Sequence, residues 1–76
     1  MNEKIIAIIK EIKNGHVVDE KDHLVFDGIL SSLDMLALIC QLEETFSIKI
    51  PIESILPDNF DTIVSIATLV KELQVK

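Results

Sequence analysis

The stretch from Asp27 to Pro51, DGILSSLDMLALICQLEETFSIKIP, constrains the chain most. Ser31 is followed three residues later by Asp34, and an apolar run then continues for about four turns of helix. A hydroxyl residue and an acidic residue at that spacing satisfy the free N–H groups of a first helical turn, so the pattern predicts a helix from Ser32 to about Phe46 with Ser31 as N-cap. Ser32 is then the first helical residue. Its hydroxyl is free to point outward at the positive end of the helix dipole, a place that favours a phosphate ester. One serine caps and its neighbour is left for chemistry.

The same helix has two apolar faces. Met35, Leu38, Ile39, Leu42 and Phe46 repeat at helical spacing and form the expected core stripe. Leu33, Leu36, Ala37 and Cys40 form a second stripe, bordered by Asp34, Glu43 and Glu44. Such a helix either lies at the centre of its bundle or keeps one face for a partner. Two readings stay open: a docking surface with an apolar centre and an acidic margin, or a face covered by the preceding loop or by a second copy of the chain.

The run Ser32-Leu33-Asp34, followed by Leu42-Glu43-Glu44 and then by Phe46, Ile48, Ile50 and Pro51, carries a family resemblance. It resembles the phosphopantetheine-bearing helix of acyl carrier proteins, whose attachment motif is Asp-Ser-Leu ahead of an acidic, apolar helix ending in Phe-Gly-Ile. In that match Ser32 stands at the serine that carries 4′-phosphopantetheine. Ser31 replaces the family's Asp, Ser47 its Gly, and Ala37 a common Glu. Gly28, with Ile29 and Leu30 after it, is similar to the Gly-Leu-Leu-Asp-Ser of D-alanyl and other stand-alone aminoacyl carriers. Counting a shorter spacing from Gly28 makes Ser31 the attachment point, but it moves Leu33 and Asp34 out of register.

The resemblance implies an all-α fold, a small acyl-carrier-like bundle of three long helices plus one short helix, with a long loop between helices 1 and 2. It further implies a protein that is not an enzyme. Coenzyme A and a phosphopantetheinyl transferase supply the arm on Ser32, and its thiol holds acyl or aminoacyl groups as thioesters. A loading ligase and a downstream transferase or synthase are the implied partners, in fatty acid or secondary metabolite biosynthesis. Leu33, Leu36 and Cys40 provide apolar contact, and Asp34, Glu43 and Glu44 steer basic partners. The alternative is an acidic helical interaction module that is never modified.

Composition narrows the surroundings. Seventy-six residues are expected to make one domain over 1–76, and three aromatic residues among 49% apolar ones point to an Ile/Leu-packed bundle. A formal net charge of −6 opposes nucleic acid and anionic lipid surfaces. A single Cys forms no internal disulfide and fits a reducing compartment; within an apolar helix, Cys40 reads as a small hydrophobe. The N-terminal run lacks a small-residue cleavage site, and no segment approaches the roughly 20 apolar residues a bilayer requires. A cytoplasmic monomer without membrane insertion is expected.

Elsewhere, Ile5, Ile8, Ile9 and Ile12 predict an amphipathic helix from about Glu3 to Asn14, with Asn2 as N-cap and Gly15 just past its end. Between His16 and Leu30 no period is sustained; the loop is long and anchored, with Val17, Val18, Leu24, Val25 and Phe26 expected in the core. Ser47 to Pro51 reads as an extended connector, and Ile52 to Leu56 as one helical turn stopped by Pro57. Asp61 or Thr62 is expected to start a last helix with Ile63, Ile66, Ala67, Val70 and Leu73 inward and Lys71, Glu72 and Lys76 in water. His16 and His23 read as solvated, without metal-ligand spacing, and no nucleophile elbow or Gly-rich cradle supports a hydrolase or nucleotide site.

Overall fold

The computed structural model describes residues 1–75. Its elements are α1 (Asn2–Ile12), α2 (Ser32–Phe46), a 3-10 turn at Ile52–Ser54, α3 (Pro57–Phe60) and α4 (Ile63–Gln74), and no strand occurs among the described residues. α1 packs on α2 and α4, while α3 packs on the start of α4. Lys76, expected in water, lies outside the described residues.

The core follows the stripes. Ile5 and Ile9 of α1, Leu38 and Leu42 of α2, and Ile63, Ile66, Ala67, Leu69 and Val70 of α4 are buried, and Phe60 fills the space under α3. Met35, Ile39, Phe46 and Leu73 pack against this cluster while partly exposed. The connector adds Ile48 and Ile50 from its inward positions, with Lys49 between them in water. Each helix thus contributes one apolar stripe to a common core, which is where most helical stability arises in chains too short to hold isolated helices.

The helix ends depart from the sequence expectations in specific ways. Asn2 is not the N-cap of α1; it is the first helical residue, and its side-chain amide donates to Glu20 Oε2 at 2.8 Å. α1 closes one residue earlier than a Gly15 stop requires. Asn14 takes the left-handed conformation (φ 55°), the Gly15 N–H bonds to the Lys10 carbonyl at 2.7 Å, and the Asn14 N–H bonds to the Glu11 carbonyl at 3.3 Å. This is the paired closure in which a left-handed residue satisfies two trailing carbonyls, and Asn tolerates that conformation better than most. Pro57 does not simply stop the preceding turn. It stands at the first position of α3, where its missing N–H costs nothing.

Ser47 ends α2 at φ 54°, with its N–H and that of Ile48 both bonded to the Glu43 carbonyl. A β-carbon in this conformation is strained, and glycine is the residue that adopts it freely. Ser47→Gly is expected to stabilise the fold by roughly 0.5–1 kcal/mol, raising Tm by a few degrees. Circular dichroism melts of the two forms measure this, and an unchanged or lower Tm counts against strain at Ser47.

Candidate functional site

α2 begins where Asp34 folds back on its own cap. Ser31 Oγ accepts from the Asp34 N–H at 3.1 Å, and Asp34 Oδ2 accepts from the Ser31 N–H at 2.9 Å, closing a reciprocal capping box. The same oxygen accepts from Lys13 Nζ at 2.8 Å, so the mouth of α2 is tied to the residue just past α1. Lys13 foremost, then the Ser31 N–H, holds the Asp34 carboxyl below its ordinary range. Asp34, expected as a steering charge, is half-buried and already paired with Lys13 within the chain. Ser31 Oγ serves as the cap.

Ser32 is exposed as the first residue of α2. The backbone ladder of the helix starts only at Met35, whose N–H reaches the Ser31 carbonyl at 2.9 Å, so the Ser32 and Leu33 N–H groups precede it and face outward. Leu33 and Leu36 are 77% and 63% exposed, and Ala37, Cys40 and Glu44 share the exposed surface. The long loop therefore does not cover this face. Glu43 is half-buried, and its Oε2 accepts from the Ile50 N–H at 2.9 Å, fastening the connector to α2. Of the three acidic residues expected at the margin, Glu44 alone stands clear as an exposed charge.

The loop between α1 and α2 is anchored as expected, but by a carboxylate that sequence reasoning did not single out for this purpose. Asp61, just before the Thr62 cap of α4, is 6% exposed. Its Oδ1 accepts from the Val25 and Phe26 N–H groups at 3.0 and 2.9 Å, its Oδ2 meets His23 Nδ1 at 2.6 Å, and its carbonyl accepts from the Leu24 N–H. Burial pushes the Asp61 carboxyl upward, but the bonds from Phe26, His23 and Val25 more than offset it and hold it below its ordinary value. The ionised carboxylate only accepts, so the His23 proton lies on Nδ1. His23 is therefore not simply solvated. Val18 and Leu24 reach the core and Val25 packs against it, whereas Val17 and Phe26 are 65% and 64% exposed, contrary to expectation. With Asp61 gripping the N–H of Phe26, the turn leaves that ring outside. The only sequence hint was an Asp ahead of Thr62, the same residue that read as a cap.

A pH dependence follows. The hydrogen bond to Asp61, then its charge, with smaller help from Asp27 and Asp22, raises His23 above its ordinary 6.5. Its contribution to stability is complete below about pH 6.5 and is lost as pH rises through the raised folded value. Asp61 and Asp34 behave oppositely: their contributions are complete above an ordinary 3.8 and are lost as pH falls through the lowered folded values. Tm is expected to decline as pH rises above about 6.5 in the native chain and to stay level there in His23→Gln. Equal slopes in the two melts contradict the assignment.

Two of the hollows among the described residues bear on the placement of the site. One of about 530 Å³, lined by Glu43, Ser47, Ile48, Lys49, Ile50, Pro51 and Leu73, lies at the far end of α2 from Ser32. The other, about 550 Å³, lies between Ile6 and the segment 17–21. Neither includes the Ser31–Leu36 turn. No helix among the described residues is long and apolar enough to cross a membrane.

An all-helical bundle with an exposed serine opening a capped, half-exposed apolar helix is the architecture of a phosphopantetheine carrier. Residues 3–70 match the family described as "Phosphopantetheine attachment site", and the chain belongs to that family. The match supports a carrier rather than an enzyme, with a covalently attached 4′-phosphopantetheine. Within the family the chain is similar to D-alanyl carrier proteins. It is 40% identical to that of Streptococcus uberis over 75 residues, covering 97% of this chain and 95% of the relative. It is 36% identical, with the same coverage, to that of Streptococcus pyogenes serotype M5. These comparisons support a carrier and give no support to an unmodified interaction module.

Proposed function

We propose that residues 1–76 form one carrier domain whose Ser32 bears 4′-phosphopantetheine and that it carries an aminoacyl group, with D-alanine the cargo suggested by the relatives' name. The observation that carries the assignment is the exposure of Ser32 on the first turn of α2 while its neighbour Ser31 is engaged in the capping box. The residues suit the group. A phosphodiester needs an open hydroxyl, and two outward N–H groups with the positive helix end favour its charge.

When bound, the arm supplies a thiol that holds the cargo as a thioester. The chain's own part is to present and to dock. Leu33 and Leu36, with Cys40, offer an apolar patch to an ATP-dependent loading ligase and to the enzyme that removes the cargo, and Glu44 favours a basic rim on each. Asp34 and Glu43 act mainly within the chain, keeping the docking helix in place. Tethering raises the local concentration of the cargo at each partner. The single Cys and the acidic surface suit a monomer working in the cytoplasm.

Incubation with coenzyme A and a promiscuous phosphopantetheinyl transferase tests this by intact mass, followed by peptide mapping. The added mass is expected on the peptide containing Ser32, and the modified chain is expected to accept D-alanine from a D-alanine-activating ligase. No added mass under conditions that modify a control carrier overturns the proposal.

A further inference from the structure

We propose that Lys13 is a positioning residue for modification at Ser32, acting through Asp34; the inference rests on the assignment of Ser32 above. Asp34 Oδ2 holds two donors at once, the Ser31 N–H at 2.9 Å and Lys13 Nζ at 2.8 Å. A carboxylate turns easily about its last torsion. With a single donor it swings; with Lys13 on one side and Ser31 on the other, Oδ2 is held in place. Ser31 is also bound through its Oγ to the Asp34 N–H at 3.1 Å, so the residue directly before Ser32 is fixed at both its backbone and its side chain. Among the described residues Ser32 makes no such side-chain bond, and its backbone is set by Ser31 and by the helix it opens.

The modification depends on that placement. Ser32 Oγ attacks the β-phosphorus of coenzyme A, forming the Oγ–P bond while the P–O bond of the pyrophosphate breaks. Adenosine 3′,5′-bisphosphate leaves, and the hydroxyl proton passes to a base of the transferase or to solvent. Rates of such attacks depend steeply on how the nucleophile is held. Lys13 has a second effect of the same sign. Asp34 follows Ser32 by two residues within the same first turn, and its pairing with Lys13 offsets a negative charge near the approach of a polyanionic donor. The cation comes from the end of α1, 21 residues earlier in the chain, so the packing of α1 on α2 reaches the reactive hydroxyl through one ion pair.

The experiment compares the full chain with Lys13→Gln and Lys13→Arg, using coenzyme A and the same transferase. Lys13→Gln is expected to lower kcat about tenfold with the KM for the carrier little changed, and Lys13→Arg to recover most of the loss. Amide hydrogen exchange gives an independent readout on the unmodified protein: the Ser31 N–H is expected to lose protection in Lys13→Gln and to regain it in Lys13→Arg. A loss confined to KM makes Lys13 a docking charge and overturns the proposal. So does an unchanged kcat, or an unchanged Ser31 amide, whatever the state of Ser32. Failure of the native chain to take up the group sinks the Ser32 assignment instead, and the amide readout still decides the role of Lys13.

Discussion

Ser32→Ala is expected to abolish uptake of the phosphopantetheinyl group, with no added mass after exhaustive incubation, while the melting curve stays where it was. Ser31→Ala is expected to do the reverse. Removing an N-cap hydroxyl costs about 1 kcal/mol and lowers Tm by about 4–8 °C in a domain of this size. The modified mass still appears, more slowly. The contrast follows from the site: Ser31 Oγ is bonded to the Asp34 N–H, whereas Ser32 is exposed on the first turn of the helix. Substitution of an exposed side chain with no internal partner moves stability by no more than about 0.5 kcal/mol. If Ser31→Ala blocks uptake and Ser32→Ala permits it, the attachment point has been placed one residue too late.

Asp61→Ala is expected to be the most destabilising single change outside the apolar core, with Tm falling by on the order of 10 °C. It removes the acceptor of two backbone N–H groups and of the His23 ring together. The effect should begin locally. Exchange at the Val25 and Phe26 amides rises well above the global rate, because the turn that presents them has lost its partner. Asp61→Asn keeps one carbonyl oxygen for those amides but not the charge that raises His23, so its melt is expected to fall between the other two. It should also lose the slope above about pH 6.5. A variant whose Val25 and Phe26 amides keep native protection would show that the loop is held by Val18 and Leu24 alone.

The start of α2 is local: Ser31 and Asp34 are three residues apart, and the box they form is decided by neighbours on one turn. Stripes at helical spacing likewise placed Leu38, Leu42, Ile63, Ile66 and Val70 in the core, because burial of one face is what makes a short helix stable. Lys13 with Asp34 and His23 with Asp61 are separated by 21 and 38 residues, and no periodicity encodes which carboxylate each cation meets. Phe26 was misplaced for the same reason. Hydrophobicity assigns an aromatic to the interior, but hydrogen bonds from its own backbone to a buried carboxylate decide which way the turn faces. Glu43 shows a third limit: on a helical projection it belongs to the acidic margin, yet the extended segment after Ser47 returns to present an N–H to it.

The exposed leucines of α2 also bear on how crowded copies of this molecule behave. Leu33 and Leu36 stay in water, and such patches adhere when they meet. A net charge of −6 keeps neighbours apart across a screening length of about 8 Å at physiological ionic strength. Added salt shortens that repulsion, and acidification toward the isoelectric point near 4.6 removes it. The net negative charge therefore acts as colloidal protection, letting a greasy helix remain open in a concentrated solution without clumping.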